Sequence, residues 1–91
     1  MKQKAYPVRN PDIVMRSEPK EALLFNPADG NMLCINETGI LIWGLCDGDN
    51  ATDDIVRKLT EVYDVSGDKA REDYDSFIKE MDEAGFIGYK T

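Results

Sequence analysis

Few side chains in this sequence are placed to do chemistry. The densest set is in "DGDNATDD", where Asp47, Asp49, Asn50, Asp53 and Asp54 crowd together in the manner of a cation loop. An EF-hand loop needs oxygen ligands at alternate positions, a glycine sixth and a glutamate twelfth, and this stretch supplies neither of the last two in register. It reads as a solvated turn leading into a helix N-terminus. Asp73 and Asp75 are two apart on a helical pattern, so their carboxylates diverge instead of sharing a proton. Ser66 and Ser76 lack a base, because the chain contains no histidine. That absence also removes the commonest transition-metal ligand. Cys34 and Cys46 form no CxxC pair and no metal-spaced set. They read as reduced thiols, and a bridge between them stays open. No phosphate loop, dinucleotide fingerprint, nucleophile elbow or zinc-protease motif occurs. The expectation is a non-catalytic protein without cofactor or metal.

The elements around these residues follow from composition and periodicity. Ninety-one residues with 42% hydrophobic and 32% charged content suit one small folded domain spanning 1–91. The opening "MKQKAYPVRNPD" has lysines but no apolar core, and no apolar run reaches the length of a membrane span, so the expected location is the cytoplasm. "YPVRNPDIV", with two prolines, reads as an extended lead-in. "DIVMRSE", "EALLFN" and "NMLCIN" read as three short strands. Pro19-Lys20 and "PADGN" supply the turns, which makes an antiparallel meander over about 12–36. Helices should fill about 37–85.

The most apolar segment is Ile40–Cys46. Asn36 can cap a helix there, Glu37 suits its positive end, and Asp47-Gly48 ends it. A buried strand is the rival reading, but the bracketing favours a central helix, with Gly39 and Gly44 as points of close approach. Ile55, Val56, Leu59, Val62 and Tyr63 mark a second helix. Ala70, Tyr74, Phe77, Ile78, Met81 and Ala84 mark a third, closed by Gly85. Phe86, Ile87 and Tyr89 form a short extended tail. Strands followed by helices imply α+β: a three-stranded antiparallel sheet on a three-helix, winged helix-turn-helix bundle.

Winged helices usually place the third helix in DNA. Here the segment Asp68–Ala84 carries seven acidic and three basic residues, and the whole chain is −7. A phosphate backbone and an anionic membrane surface would both be repelled. The fold is therefore expected to serve another purpose. If the strands lie in order, the third, Asn31–Asn36, is a sheet edge open to strand addition. The third helix could wall that edge, with Tyr74 and Ile78 as apolar pockets and Lys69 and Arg71 facing acidic peptide groups. Tyr74 and Ile78 equally suit plain core. A nucleic-acid binder and an oligomeric scaffold built on the edge strand are the alternatives.

The words "LCINETGILIWGLCDGDNATDDIVRKL" and "DYDSFIKEMDEAGFI" resemble the PqqD-like family of peptide-binding proteins, recognition elements for ribosomally made, post-translationally modified peptides. The shared pattern is an apolar strand ending in Asn36, then Thr38-Gly39, a helix with Trp43, and Asp47-Gly48. An Ile55-led helix follows, then Asp73, Phe77 and Gly85-Phe86-Ile87. The resemblance covers about residues 7 to 89. Ala51 departs from the family's Ser or Thr, so capping of the second helix should fall to Asn50 or Thr52. The resemblance implies that a precursor's leader peptide adds as a strand beside the third strand, against the third helix, and is presented to a modifying enzyme, commonly a radical S-adenosylmethionine maturase. By position the groove would comprise Met32, Leu33, Cys34, Ile35, Arg71, Tyr74, Asp75 and Ile78, the strand offering mostly backbone. A monomer, or a weak homodimer through the edge strand, is expected.

Overall fold

The computed structural model describes residues 6–90 of the chain. The first five residues of the stretch read for a targeting signal lie outside them. The architecture is α+β, with eight elements in chain order. β1 (Tyr6–Arg9), β2 (Val14–Ser17), β3 (Glu21–Phe25) and β4 (Met32–Asn36) precede α1 (Glu37–Leu45), α2 (Thr52–Tyr63) and α3 (Gly67–Glu83), and β5 (Ile87–Lys90) ends the chain. The expected meander forms: β2, β3 and β4 lie in that order, all antiparallel. A second, two-stranded sheet pairs β1 with β5.

The turns form where the sequence places them. Glu18 N–H donates to Glu21 C=O at 2.8 Å across Pro19-Lys20. In the β3–β4 turn Gly30 adopts φ +78°, a conformation that favours glycine. Asn36 ends β4 and caps α1, its Oδ1 accepting from Gly39 N–H at 2.9 Å. This bond satisfies one of the otherwise unpaired donors of the first turn. The same residue is thus the hinge between edge strand and helix.

The core lies between the inner face of the three-stranded sheet and the helices. Ala22, Leu24 and Ile35 come from the sheet, Ile42, Trp43 and Cys46 from α1 and the residue after it, and Ile55 and Leu59 from α2. α3 contributes Ala70, Tyr74, Ile78 and Met81, a stripe at helical spacing. α1 packs against the sheet and α2 with Gly39, Ile42 and Trp43 buried, but it is not the surrounded central helix expected, since Thr38, Ile40, Leu41 and Leu45 are only half-buried. Its two glycines differ from expectation. Gly39 is a close approach: a Cβ there would meet Phe77 Cε1 at 2.9 Å and Ile35 Cβ at 3.0 Å. Gly44 is exposed and has nothing within 4 Å of such a Cβ. The reason is that α1 is half covered, and its Gly44 face looks to solvent.

One further local feature refines the sequence reading and a second departs from it. The lead-in is a strand: Arg9 N–H donates to Cys46 C=O at 2.8 Å, and its guanidinium Nη1 donates to Trp43 and Gly44 carbonyls, each at 2.9 Å. It thereby satisfies the open carbonyl end of α1. At α2 neither Asn50 nor Thr52 is the cap. Asp54 Oδ2 accepts from Ala51 N–H at 3.0 Å, whereas Asn50 Nδ2 donates back to Leu45 C=O at 3.3 Å. Ser66 caps α3 through Lys69 N–H at 3.1 Å, and Gly85, at φ +77°, ends that helix. No helix among the described residues is long and apolar enough to cross a membrane.

Candidate functional site: an open strand edge and its groove

Among the described residues β4 pairs with β3 on one side only, so its other edge carries backbone groups without a strand partner there. Which groups these are follows from the ladder. Asn26 N–H donates to Asn31 C=O at 2.9 Å, and the cross-strand pairs then run Phe25 with Met32, Leu24 with Leu33, Leu23 with Cys34 and Ala22 with Ile35. In an antiparallel pair, hydrogen-bonded and non-bonded pairs alternate. Leu33 and Ile35 therefore spend their N–H and C=O groups on β3, while Met32 and Cys34 turn theirs outward. The Glu18–Glu21 bond on the opposite side of β3 gives the same alternation. An incoming strand would find the Met32 and Cys34 backbone groups, and the N–H of Asn36.

Beside this edge lies a cavity of about 320 Å³. Cys34, Ile35 and Asn36 form its strand side, and Thr38, Gly39 and Ile42 of α1 its floor. Its far wall is α3, through Asp73, Ser76, Phe77 and Glu80. These four are spaced i, i+3, i+4 and i+7, one helix face. Asp73 and Phe77 are the partly buried members, the Phe77 ring against Gly39. The absence of a side chain on Gly39 allows α1 and α3 to approach closely enough to set this wall. Asp73 pairs with Lys69 Nζ at 3.2 Å. Among the described residues no cation lines the cavity.

The residues expected at the groove divide between it and other places. Cys34 and Ile35 line it. Met32 and Leu33 belong to the same edge strand, Met32 exposed at 57% and Leu33 half-buried. The four expected α3 residues face elsewhere. Tyr74 and Ile78 belong to the core stripe, Tyr74 with its hydroxyl 3.2 Å from Thr52 Oγ1 on α2. Burial pushes the Tyr74 phenol up from its ordinary value. Arg71 Nε donates to Asp75 Oδ1 at 3.2 Å, and Arg71 Nη1 lies 3.8 Å from Asp53 Oδ1 on α2. Arg71 sits about 200° around the helix from Asp73, at about 100° per residue, so it cannot share a wall with it. The groove stripe is rotated by one residue from the core stripe. Its one signal in the sequence is Phe77, an aromatic beside the core stripe with carboxylates four residues before it and three after.

Neither cysteine is bridged. Cys46 is fully buried, and desolvation pushes its thiol up to about 12. Cys34 is exposed, on the sheet face away from the core, and its Sγ donates to Glu21 Oε2 at 3.4 Å. That hydrogen bond, more than any burial, raises its pKa. Among the described residues there is no cluster of three or more potential metal ligands.

An α+β domain with a free strand edge beside a helix-walled groove is what the geometry defines. Family comparison identifies it further: the Coenzyme PQQ synthesis protein D (PqqD) family matches residues 21–87, and the chain belongs to that family. No curated protein matches the sequence. Two solved structures share the fold. One is TbiB1 in complex with the TbiA(beta) leader peptide, at 19% identity and TM-score 0.78, covering 92% of this chain and 99% of that one. The other is lasso peptide synthetase B1 complexed with the leader peptide, at 20% identity and TM-score 0.78, covering 91% and 98%.

Proposed function

We propose that this protein is a non-catalytic adaptor that captures the leader of a ribosomally made precursor peptide by strand addition to β4. The observation that carries the reading is the free β4 edge, with the outward backbone groups of Met32 and Cys34 opening beside the α3-walled cavity. Strand addition supplies main-chain hydrogen bonds for affinity and alternate side-chain pockets for selectivity. Both structural neighbours are complexes with leader peptides, and the family relationship points the same way. The groove-facing residues are Ile35, Phe77, Asp73, Ser76 and Glu80. Met32 and Cys34 act through their backbones. Leu33 holds the strand in register, and Tyr74 and Ile78 hold α3 in place behind the wall. Arg71 and Asp75 brace α3 against α2. The captured peptide is then presented to a modifying enzyme, for which a radical S-adenosylmethionine maturase is the family-based expectation.

The test is isothermal titration with the leader regions of small peptides encoded beside the gene. Micromolar or tighter binding is expected. A proline placed in the peptide segment that pairs with β4 removes a ladder donor and should abolish binding. Binding that survives proline at every position of that segment would refute strand addition.

A further inference from the structure

The groove carries two carboxylates, only one of them paired with a cation among the described residues, and this bears on which peptides it admits. Asp73 is partnered by Lys69 at 3.2 Å. Glu80, about two turns further along the same face, has no side-chain hydrogen bond or ion pair among the described residues. Between β4 and these acids the lining is mixed, with Ile35 and the Phe77 ring forming an apolar strip beside the polar Asn36, Thr38 and Ser76. An apolar strip with a carboxylate at its rim suits one kind of side chain: a long aliphatic stem that ends in a cation. The stem lies along Ile35 and Phe77, the aromatic face adds attraction for the charge, and the head reaches Glu80. A peptide carboxylate at the same place meets the like charge of Glu80.

Register decides which peptide residue this is. Side chains of a strand alternate between faces, and Leu33 and Ile35 point to the core side while Met32 and Cys34 point to the outer face. A peptide residue hydrogen-bonded opposite Cys34 points outward with it. Its neighbour, opposite Ile35, points into the groove. Resting on the strand-addition reading above, we propose that Glu80 is a specificity-determining residue, and that the bound peptide carries lysine or arginine at the groove-facing position opposite Ile35.

The test uses an mRNA-display library of random 12-residue peptides, selected separately on the wild-type protein and on Glu80→Lys, with Glu80→Gln as a milder variant and circular dichroism to verify folding. Wild type should enrich Lys or Arg at one position within an otherwise apolar, alternating segment. Glu80→Lys should enrich Asp or Glu at that position, and Glu80→Gln should show no charge preference there. For a selected peptide, exchanging the basic residue for Glu should weaken binding to wild type by roughly fivefold, the upper range for an exposed ion pair. Binding of the exchanged peptide to Glu80→Lys should recover. Equal residue preferences on wild type and Glu80→Lys would overturn the assignment of Glu80. If proline still abolishes binding in that case, strand addition stands and only the Glu80 proposal falls. Selected peptides that tolerate proline at every position, or no enrichment on any of the three proteins, would overturn both.

Discussion

Gly39 and Gly44 lie five residues apart on one short helix, and alanine should have opposite effects at the two positions. In a helix interior, alanine is better than glycine by about 0.5–1 kcal/mol. Gly44 is exposed and its added Cβ meets nothing within 4 Å, so Gly44→Ala should be stabilising by about that amount. At Gly39 the new methyl would sit 2.9 Å from Phe77 Cε1, 3.3 Å from Phe77 Cδ1 and 3.0 Å from Ile35 Cβ. The ring can swing, but Ile35 Cβ is fixed by the ladder between β3 and β4. Overpacking of this kind costs about 1–3 kcal/mol, which outweighs the gain in helix propensity. The two variants should therefore differ by about 1–3 kcal/mol, or roughly 4–20 °C in Tm for a domain of this size. Urea unfolding followed by the emission of Trp43, the single tryptophan, reads both stabilities. Because Phe77 and Ile35 also line the groove, Gly39→Ala should weaken peptide binding while Gly44→Ala leaves it unchanged. Stabilities within about 0.5 kcal/mol of each other would refute the argument that α1 and α3 meet at Gly39 without room for a methyl group.

Asn36→Ala removes the α1 cap and should cost about 1 kcal/mol in urea unfolding, whereas Asn36→Asp keeps an acceptor at the positive helix end and should cost less than half of that. Stability should fall in alkali: the buried Cys46 thiol holds its proton up to about 12, against an ordinary value of 9.0, so its contribution is complete below about pH 9 and declines as pH rises toward 12. The slope from that group is about 1.4 kcal/mol per pH unit. Tyr74, also raised by burial, adds to the loss, so Cys46→Ala should shallow the slope without removing it. In the native protein a maleimide should modify Cys34 and spare Cys46 until unfolding, and Glu21→Ala should speed the Cys34 reaction near pH 8 by removing the hydrogen bond and charge that raise its pKa; mass spectrometry counts the adducts. Two copies meeting edge to edge would bring their Asp73 and Glu80 walls to one seam, so self-association should be weak at about 20 mM salt and stronger at about 0.5 M in sedimentation experiments.

What could be read from the sequence was whatever has a local cause. Asn36 announces a cap because a side-chain oxygen beside free N–H groups has an obvious use, and the turn residues of "PADGN" fix the meander in the same way. The core stripe of α3 is legible because burial of Ala70, Tyr74, Ile78 and Met81 imposes a helical period. That same strength hides the groove. A wall proposed to face a bound peptide need not be apolar, so Asp73, Ser76 and Glu80 look like ordinary solvated surface. The periodicity drew attention to Tyr74 and Ile78, one position away. β1 could be read only as an extended lead-in, because its partner β5 is remote in sequence; Pro7 suits the strand because its backbone groups face away from β5, its C=O accepting from Gly48 N–H at 3.1 Å. Gly44 could not be distinguished from Gly39 without knowing which side of α1 receives Phe77.

The short edge has an energetic consequence for peptide capture. Asn36 turns the chain into α1, so β4 offers an incoming strand only the outward groups of Met32 and Cys34 and one more N–H at Asn36. That is at most about five hydrogen bonds, each worth about 0.5–1.5 kcal/mol once exchange with water is counted. Their sum, about 2.5–7.5 kcal/mol, is similar to the lower estimates for the cost of association, about 4 kcal/mol and upward. Micromolar affinity requires a net of about 8 kcal/mol. Backbone pairing at β4 can orient a peptide but cannot by itself hold it at that strength. The deficit falls on the side chains that enter the cavity against Ile35 and Phe77, where burial of one large apolar stem is worth about 1.5–3 kcal/mol. In the proposed binding mode, discrimination among peptides belongs to the α3 wall, since every peptide presents the same backbone to the edge. A protein that used the strand alone would bind weakly and without preference, and under that proposal the preference comes from Phe77 and Glu80, which are rotated out of the core stripe.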